Sequence, residues 1–144
     1  MSLAAGPSPT HIVTRTVYRG DAVTHGPRSV PEETPVAFTY NRTAYAVMLA
    51  TPANLEDFAI GFSLTEGIIQ QTSEVEELDV VPSQAGVELR MWLAPDRLDS
   101  LTLRQRRLAG PSGCGLCGLE SLADAVRTPP RVPPGTRFEA AAIQ

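Results

Sequence analysis

Apolar and polar positions alternate as soon as the chain acquires a pattern. In "IVTRTVYR", Ile12–Arg19, β-branched residues alternate with polar ones, which reads as a strand. Gly20 to Pro31 mixes glycine, proline and polar residues without a period and is expected to form a loop. Alternation resumes in "ETPVAFTYNRTAYAVML" and predicts two strands, near 35–40 and 44–50. A tight turn at Asn41-Arg42 joins them, since asparagine tolerates the positive φ such a turn demands. The period then lengthens. Leu55, Phe58, Ala59 and Phe62 fall at i, i+3, i+4 and i+7, the stripe of an amphipathic helix. Thr51-Pro52 is expected to cap and open it. Glu56 and Asp57 lie in the opening turns, where the helix dipole favours negative charge, and Gly67 after Glu66 is expected to end it. Gly61 in its interior costs roughly 1 kcal/mol against alanine, which predicts a close approach of another backbone. Two more strands follow, 76–81 ("EELDVV") and 86–93 ("GVELRMWL"), closed by Pro95.

Three strands, a helix and two strands predict an α+β domain: a small mixed or antiparallel sheet with one main helix, not a parallel βαβ array. The expected organisation is a flexible tail at 1–11, an N-terminal α+β domain at 12–96, and a segment at 97–144. That last segment holds a cysteine loop, a short helical pattern at Leu119–Val126 and a proline tract, too little for a core of its own.

Composition narrows the class. The chain has 144 residues, 42% of them hydrophobic, enough for one domain or a domain and part of a second. No apolar run approaches the ~20 residues of a membrane span. Met1–Pro9 lacks the basic and apolar regions of a secretory signal, so a cytoplasmic protein with reduced thiols is expected. A net charge of −4 argues against general nucleic-acid binding. All 12 cations are arginine; a GC-rich coding sequence accounts for that, and such a surface suits bidentate phosphate or carboxylate contacts.

Both cysteines of the chain, Cys114 and Cys117, stand together in "GPSGCGLCGLE". Zinc needs four ligands, and His11 and His25 lie far upstream, so a zinc site would have to be shared between subunits. A thioredoxin-like pair would follow a strand in a βαβ setting. Inert packing cysteines would not call for flanking glycines. A further reading is a reactive thiol on a mobile glycine loop. Its pKa would be lowered by Arg104, Arg106 and Arg107 and by the amino end of the following helix. Such a loop can carry sulfur as a persulfide between a donor and an acceptor. The chemistry alone leaves these readings open.

"GCGLCG", the upstream "RQRRLAG" and "MLATPANLEDFAIGFSLTEGII", with Glu33-Thr34-Pro35-Val36 and Tyr40-Asn41, resemble the FdhD family, the formate dehydrogenase accessory sulfurtransferases. The resemblance runs from roughly residue 12 to 126. It implies that a cysteine desulfurase loads sulfur onto the motif as a persulfide. The sulfur then passes to the molybdenum cofactor, in its bis-molybdopterin guanine dinucleotide form, for the formate dehydrogenase apoenzyme. By position Cys114 matches the persulfide carrier and Cys117 its partner, able to resolve or protect the persulfide by exchange. Arg104, Arg106 and Arg107 are candidates for steering cofactor phosphates, or form a solvated face. The cofactor is an acceptor; no permanently bound cofactor is expected. A homodimer is expected, with no nucleic-acid or membrane partner. Family members are about twice as long, with a second domain resembling cytidine deaminase. Only the truncated start of that α/β domain is expected here, and the family's cofactor-binding residues are not carried over.

Two other readings stay open: a non-enzymatic chaperone fragment that holds a cofactor or partner, and a zinc-stabilised dimer through the cysteine pair. No nucleophile–base pair or metal cage supports hydrolysis. Of the remaining residues, Trp92 is expected in the core and Asn41 in a turn. Glu56 and Glu66 read as helix-dipole or surface residues, with Glu66 also a candidate to face the cysteine loop. His11 and His25 read as solvated loop histidines.

Overall fold

Alternation along the strands sorts side chains onto two faces of a sheet, and among the described residues one main helix covers one of them. A computed structural model describes residues 7–94, 121–126, 128, 131–139 and 142. The elements are β1 (Thr10–Arg19), β2 (Ala22–Pro31), β3 (Thr34–Tyr40), β4 (Thr43–Ala50), α1 (Leu55–Thr65), a 3-10 turn at Thr72–Glu74, β5 (Val75–Ser83), β6 (Gly86–Leu93) and α2 (Leu122–Ala125). Strands β4-β3-β6-β5 form one sheet, and β1-β2 form a separate hairpin. Two antiparallel hairpins, β3–β4 and β5–β6, are joined by parallel pairing of β3 with β6. Parallel neighbours require a crossover, and the stretch containing α1 and β5 supplies it. The α+β class with a small mixed sheet and one main helix is therefore observed as expected.

The inner face carries Val36, Phe38 and Tyr40 of β3 and Val87, Leu89, Met91 and Leu93 of β6, all buried. Above them lie Ala59 and Ser63 of α1 and the following Ile68 and Ile69. Phe38 is fully enclosed, its ring 5.2 Å from Phe58 and 4.3 Å from Phe62. Phe38 pairs with Ala46 while Thr39 pairs with Ala44, so Tyr45 is an extra residue on β4. This bulge brings the Tyr45 ring to 5.3 Å from Tyr40, edge on. The Tyr40 hydroxyl lies 2.8 Å from Ser63 Oγ, which itself donates to the Ala59 carbonyl at 2.7 Å. With the serine proton so used, Tyr40 is the donor of their shared bond. Burial holds its phenol well above the usual range.

Several expectations are corrected. Gly20–Pro31 is not a loop: Ala22–Pro31 forms β2, paired with β1 residue for residue. A backbone ladder makes this strand, so its side chains show no buried period. The helix opens three residues later than Thr51-Pro52 predicts. Asn54 precedes it in the left-handed region (φ 52°), a conformation asparagine tolerates, and makes no side-chain cap. Glu56 and Asp57 do lie in its first turn. Gly67 does end it, at φ 62°. Among the described residues nothing lies within 4 Å of where a Cβ on Gly61 would stand, so none of their backbone approaches there.

Candidate functional site

On β6, parity decides the outer face. Residues 87, 89, 91 and 93 point into the core, so Glu88, Arg90 and Trp92 point away from it. Arg90 pairs with Thr39 of β3 on one side and Asp79 of β5 on the other. The Glu88 carboxylate is held at both oxygens, by Arg90 at 2.8 Å and by Thr39 Oγ1 at 2.8 Å. The Arg90 hydrogen bond, aided by that of Thr39 and opposed by partial burial, keeps the Glu88 carboxyl below the usual range.

The β3–β4 turn completes the site. Asn41 and Arg42 both have positive φ, 47° and 68°. Asn41 does more than turn: its side chain accepts from Leu93 N at 2.8 Å and donates to Leu93 O at 3.2 Å, continuing the β3–β6 ladder. Arg42 holds a left-handed position that ordinarily favours glycine. With Thr39, Glu88, Arg90, Met91 and Trp92 it lines a cavity of about 350 Å³. Trp92 is thus half-buried in the cavity wall and not in the core. Its parity with Glu88 and Arg90 was the signal in the sequence. Two guanidinium groups, an indole and an engaged carboxylate line the cavity, and no nucleophile with a base stands among them.

Glu88 carries a pH-dependent prediction. Its folded pKa is depressed, so its stabilisation is present above the ordinary carboxylate range and is lost as pH falls through the folded value. Glu88→Gln should lower stability near neutral pH by at most about 1 kcal/mol, since the pair is solvent-screened. Melting curves from neutral to acidic pH should show wild type and variant converging; a gap that stays constant would remove Glu88 as the source.

Cys114, Cys117, Arg104, Arg106 and Arg107 lie outside the described residues. The described chain leaves at Ala94, whose N–H bonds to the Glu74 carbonyl at 3.1 Å. It returns at Ser121, whose Oγ caps Asp124 N at 3.2 Å. Leu122 then packs beside the start of β6, its Cδ2 3.2 Å from where a Cβ on Gly86 would stand. The two anchors sit at opposite ends of β6. Four peptide bonds separate Cys117 from Ser121, so covalent reach alone keeps their Cα atoms within about 14 Å. The described helix, Leu122–Ala125, is a single turn beginning beyond that tether. The relation of the thiols to the amino end of a helix and to the arginines lies outside the described residues.

His11 and His25 are strand residues, not loop residues. His11 pairs with Glu32 at the base of the hairpin, and His25 Nδ1 lies 3.0 Å from Thr16 Oγ1. Glu56 lies in the first turn of α1, and Glu66 closes that helix, its N–H bonding to the Phe62 carbonyl at 2.9 Å. Among the described residues, no three His, Cys, Asp or Glu side chains cluster as metal ligands. No helix among them is long and apolar enough to cross a membrane.

This α+β architecture, two hairpins joined by a parallel seam, matches a crystal structure described as that of a proposed formate dehydrogenase accessory protein from Desulfotalea psychrophila. The match has a TM-score of 0.52 at 22% identity, over 60% of this chain and 35% of that one, and establishes the fold class. The family follows from sequence. A family model, FdhD/NarQ, matches residues 31–144. A protein of Agrobacterium fabrum named sulfur carrier protein FdhD is 50% identical over 118 residues, 82% of this chain and 44% of its own length. Proteins of the same name from Cupriavidus necator and Xanthomonas campestris are 46% and 41% identical, with 41% and 47% of their lengths covered. The chain belongs to the FdhD/NarQ family and spans less than half the length of these curated relatives.

Proposed function

We propose that this chain is a sulfur carrier in formate dehydrogenase maturation, with Cys114 as the persulfide site and Cys117 as its exchange partner. The observation that carries this reading is the family match over residues 31–144, a span that contains both cysteines, together with the sulfur-carrier name of the relatives. The donor is a cysteine desulfurase bearing a persulfide. The Cys114 thiolate attacks its terminal sulfur; one S–S bond forms, another breaks, and the desulfurase thiolate leaves, with no net oxidation. Cys117 can accept the same sulfur from Cys114 by an identical exchange. The molybdenum cofactor in its guanine dinucleotide form is the substrate that finally receives it. Arg104, Arg106 and Arg107 stand close in sequence to the pair and favour the thiolate. The formate dehydrogenase apoenzyme and a second copy of this chain are the further partners proposed, and residues 97–144 are taken as the opening of a second domain.

The test is the mass of the intact chain after incubation with a cysteine desulfurase and cysteine, followed by alkylation and peptide mapping. One added sulfur on Cys114 is expected, absent in Cys114→Ala, with an unchanged melting temperature. If both thiols are alkylated normally without added sulfur, the carrier reading fails and a cofactor-holding chaperone replaces it.

A further inference from the structure

The cavity on the outer face of the sheet is lined by donors without partners. Among the described residues the Arg42 guanidinium makes no hydrogen bond or ion pair, and neither does the indole N–H of half-buried Trp92. Arg90 gives one nitrogen to Glu88. The carboxylate acceptors are already engaged, one Glu88 oxygen by Arg90 and the other by the Thr39 hydroxyl. A ligand suited to such a lining brings acceptors of its own. A carboxylate matches the fork of a guanidinium with two parallel bonds.

Arg42 is held there against its own preference. A φ of 68° costs an arginine energy and a glycine almost none. The turn is also fixed in place, because Asn41 bonds to both Leu93 N and Leu93 O. A strained cation on a clamped turn, beside an aromatic plane, meets a ligand with little left to order.

Size and neighbouring charge narrow the ligand. The cavity of about 350 Å³ lies at the small end of ligand pockets, which span roughly 300–1,000 Å³. The register sets Glu77 beside Trp92 and Asp79 beside Arg90 on this same face. These carboxylates repel a ligand with several negative charges, such as a polyphosphate, and tolerate a single charge placed on Arg42. A flat ring is the natural cover for an indole.

We propose that this cavity binds a small aromatic monocarboxylate, its carboxylate on Arg42 and its ring against Trp92. The site uses neither thiol, and the proposal does not rest on the sulfur-carrier reading.

Trp92 is the only tryptophan of the 144 residues, so its fluorescence reports on this site alone. Benzoate, titrated into the full chain at constant ionic strength, should change that emission saturably. Acetate has the charge without the ring, and benzamide the ring without the charge; each should bind roughly tenfold more weakly or worse. Arg42→Gly should weaken benzoate binding by a similar factor while melting at the same temperature or higher, because glycine suits the left-handed turn. Its lost binding is then not lost folding. Cys114→Ala with Cys117→Ala should bind benzoate like wild type, so failure of the sulfur reading leaves this one intact. No saturable response to benzoate, an equal affinity for acetate or benzamide, or undiminished binding by Arg42→Gly would each overturn the proposal.

Discussion

Phe38→Ala should cost about 3–5 kcal/mol, the usual range for deleting a fully enclosed aromatic ring. The ring is the point at which α1 meets the sheet, contacting Phe58 edge on and Phe62 at a tilt. Its neighbours on the inner face, Val36 and Tyr40, are equally enclosed and cannot move into the void without leaving their own contacts. Native stability of a small domain is of the order of 5–15 kcal/mol, so the variant should lose a large share of it. Urea unfolding followed by circular dichroism measures this directly. A loss below about 1 kcal/mol would mean that α1 is not seated on Phe38 as described.

Gly86→Ala should be nearly as damaging, for a different reason. A Cβ at Gly86 would stand 2.2 Å from the Pro35 carbonyl oxygen and 3.1 Å from its carbon, at a φ of 143°. The Leu122 side chain can give way, but the Pro35 oxygen belongs to the backbone of β3. Relief requires β3 and β6 to part at the start of their parallel pairing. Backbone strain of order 1–3 kcal/mol adds to that displacement, so a loss of about 3 kcal/mol is expected. Gly61→Ala is the internal control. It lies in helix and meets nothing within 4 Å, so it should stabilise by about 0.5–1 kcal/mol. Equal effects at the two glycines, read from urea midpoints, would disprove the steric account.

Where side-chain chemistry and backbone geometry agree, the residues spoke plainly. The strands at 35–40, 44–50, 76–81 and 86–93 were legible because each buries one face, and burial imposes a period of two. The α1 stripe was legible for the corresponding helical reason. β2 was not, because a strand whose partners are all backbone groups has no apolar period to read. The helix start was misread because Thr51-Pro52 satisfies the local rule for a cap. Asn54, in a left-handed conformation, sets the true start, a choice that depends on how the chain leaves β4. Trp92 was expected in the core, although its parity with Glu88 and Arg90 sets it on the outer face. The Arg42 wall of the cavity depends on a turn conformation that costs energy for arginine, which no pattern of hydrophobicity encodes. The thiol pair was legible as a motif alone. Its spacing and glycines suggest the chemistry, and the resemblance of the surrounding segments supplies the partners.

The bulge at Tyr45 has a consequence for the behaviour of the protein in crowded solution. Among the described residues β4 is the outermost strand on its side of the sheet, and it carries no charged residue from Thr43 to Ala50. Uncharged outer strands are the kind most readily extended by other chains, the first step toward aggregation. The extra residue twists β4 at its second turn of register, so an incoming strand meets a kink before it can extend. On the other side of the sheet, β5 is guarded by the carboxylates of Glu76, Glu77 and Asp79. One margin is protected by charge and the other by shape, and the residue that shapes the second margin also fills the core.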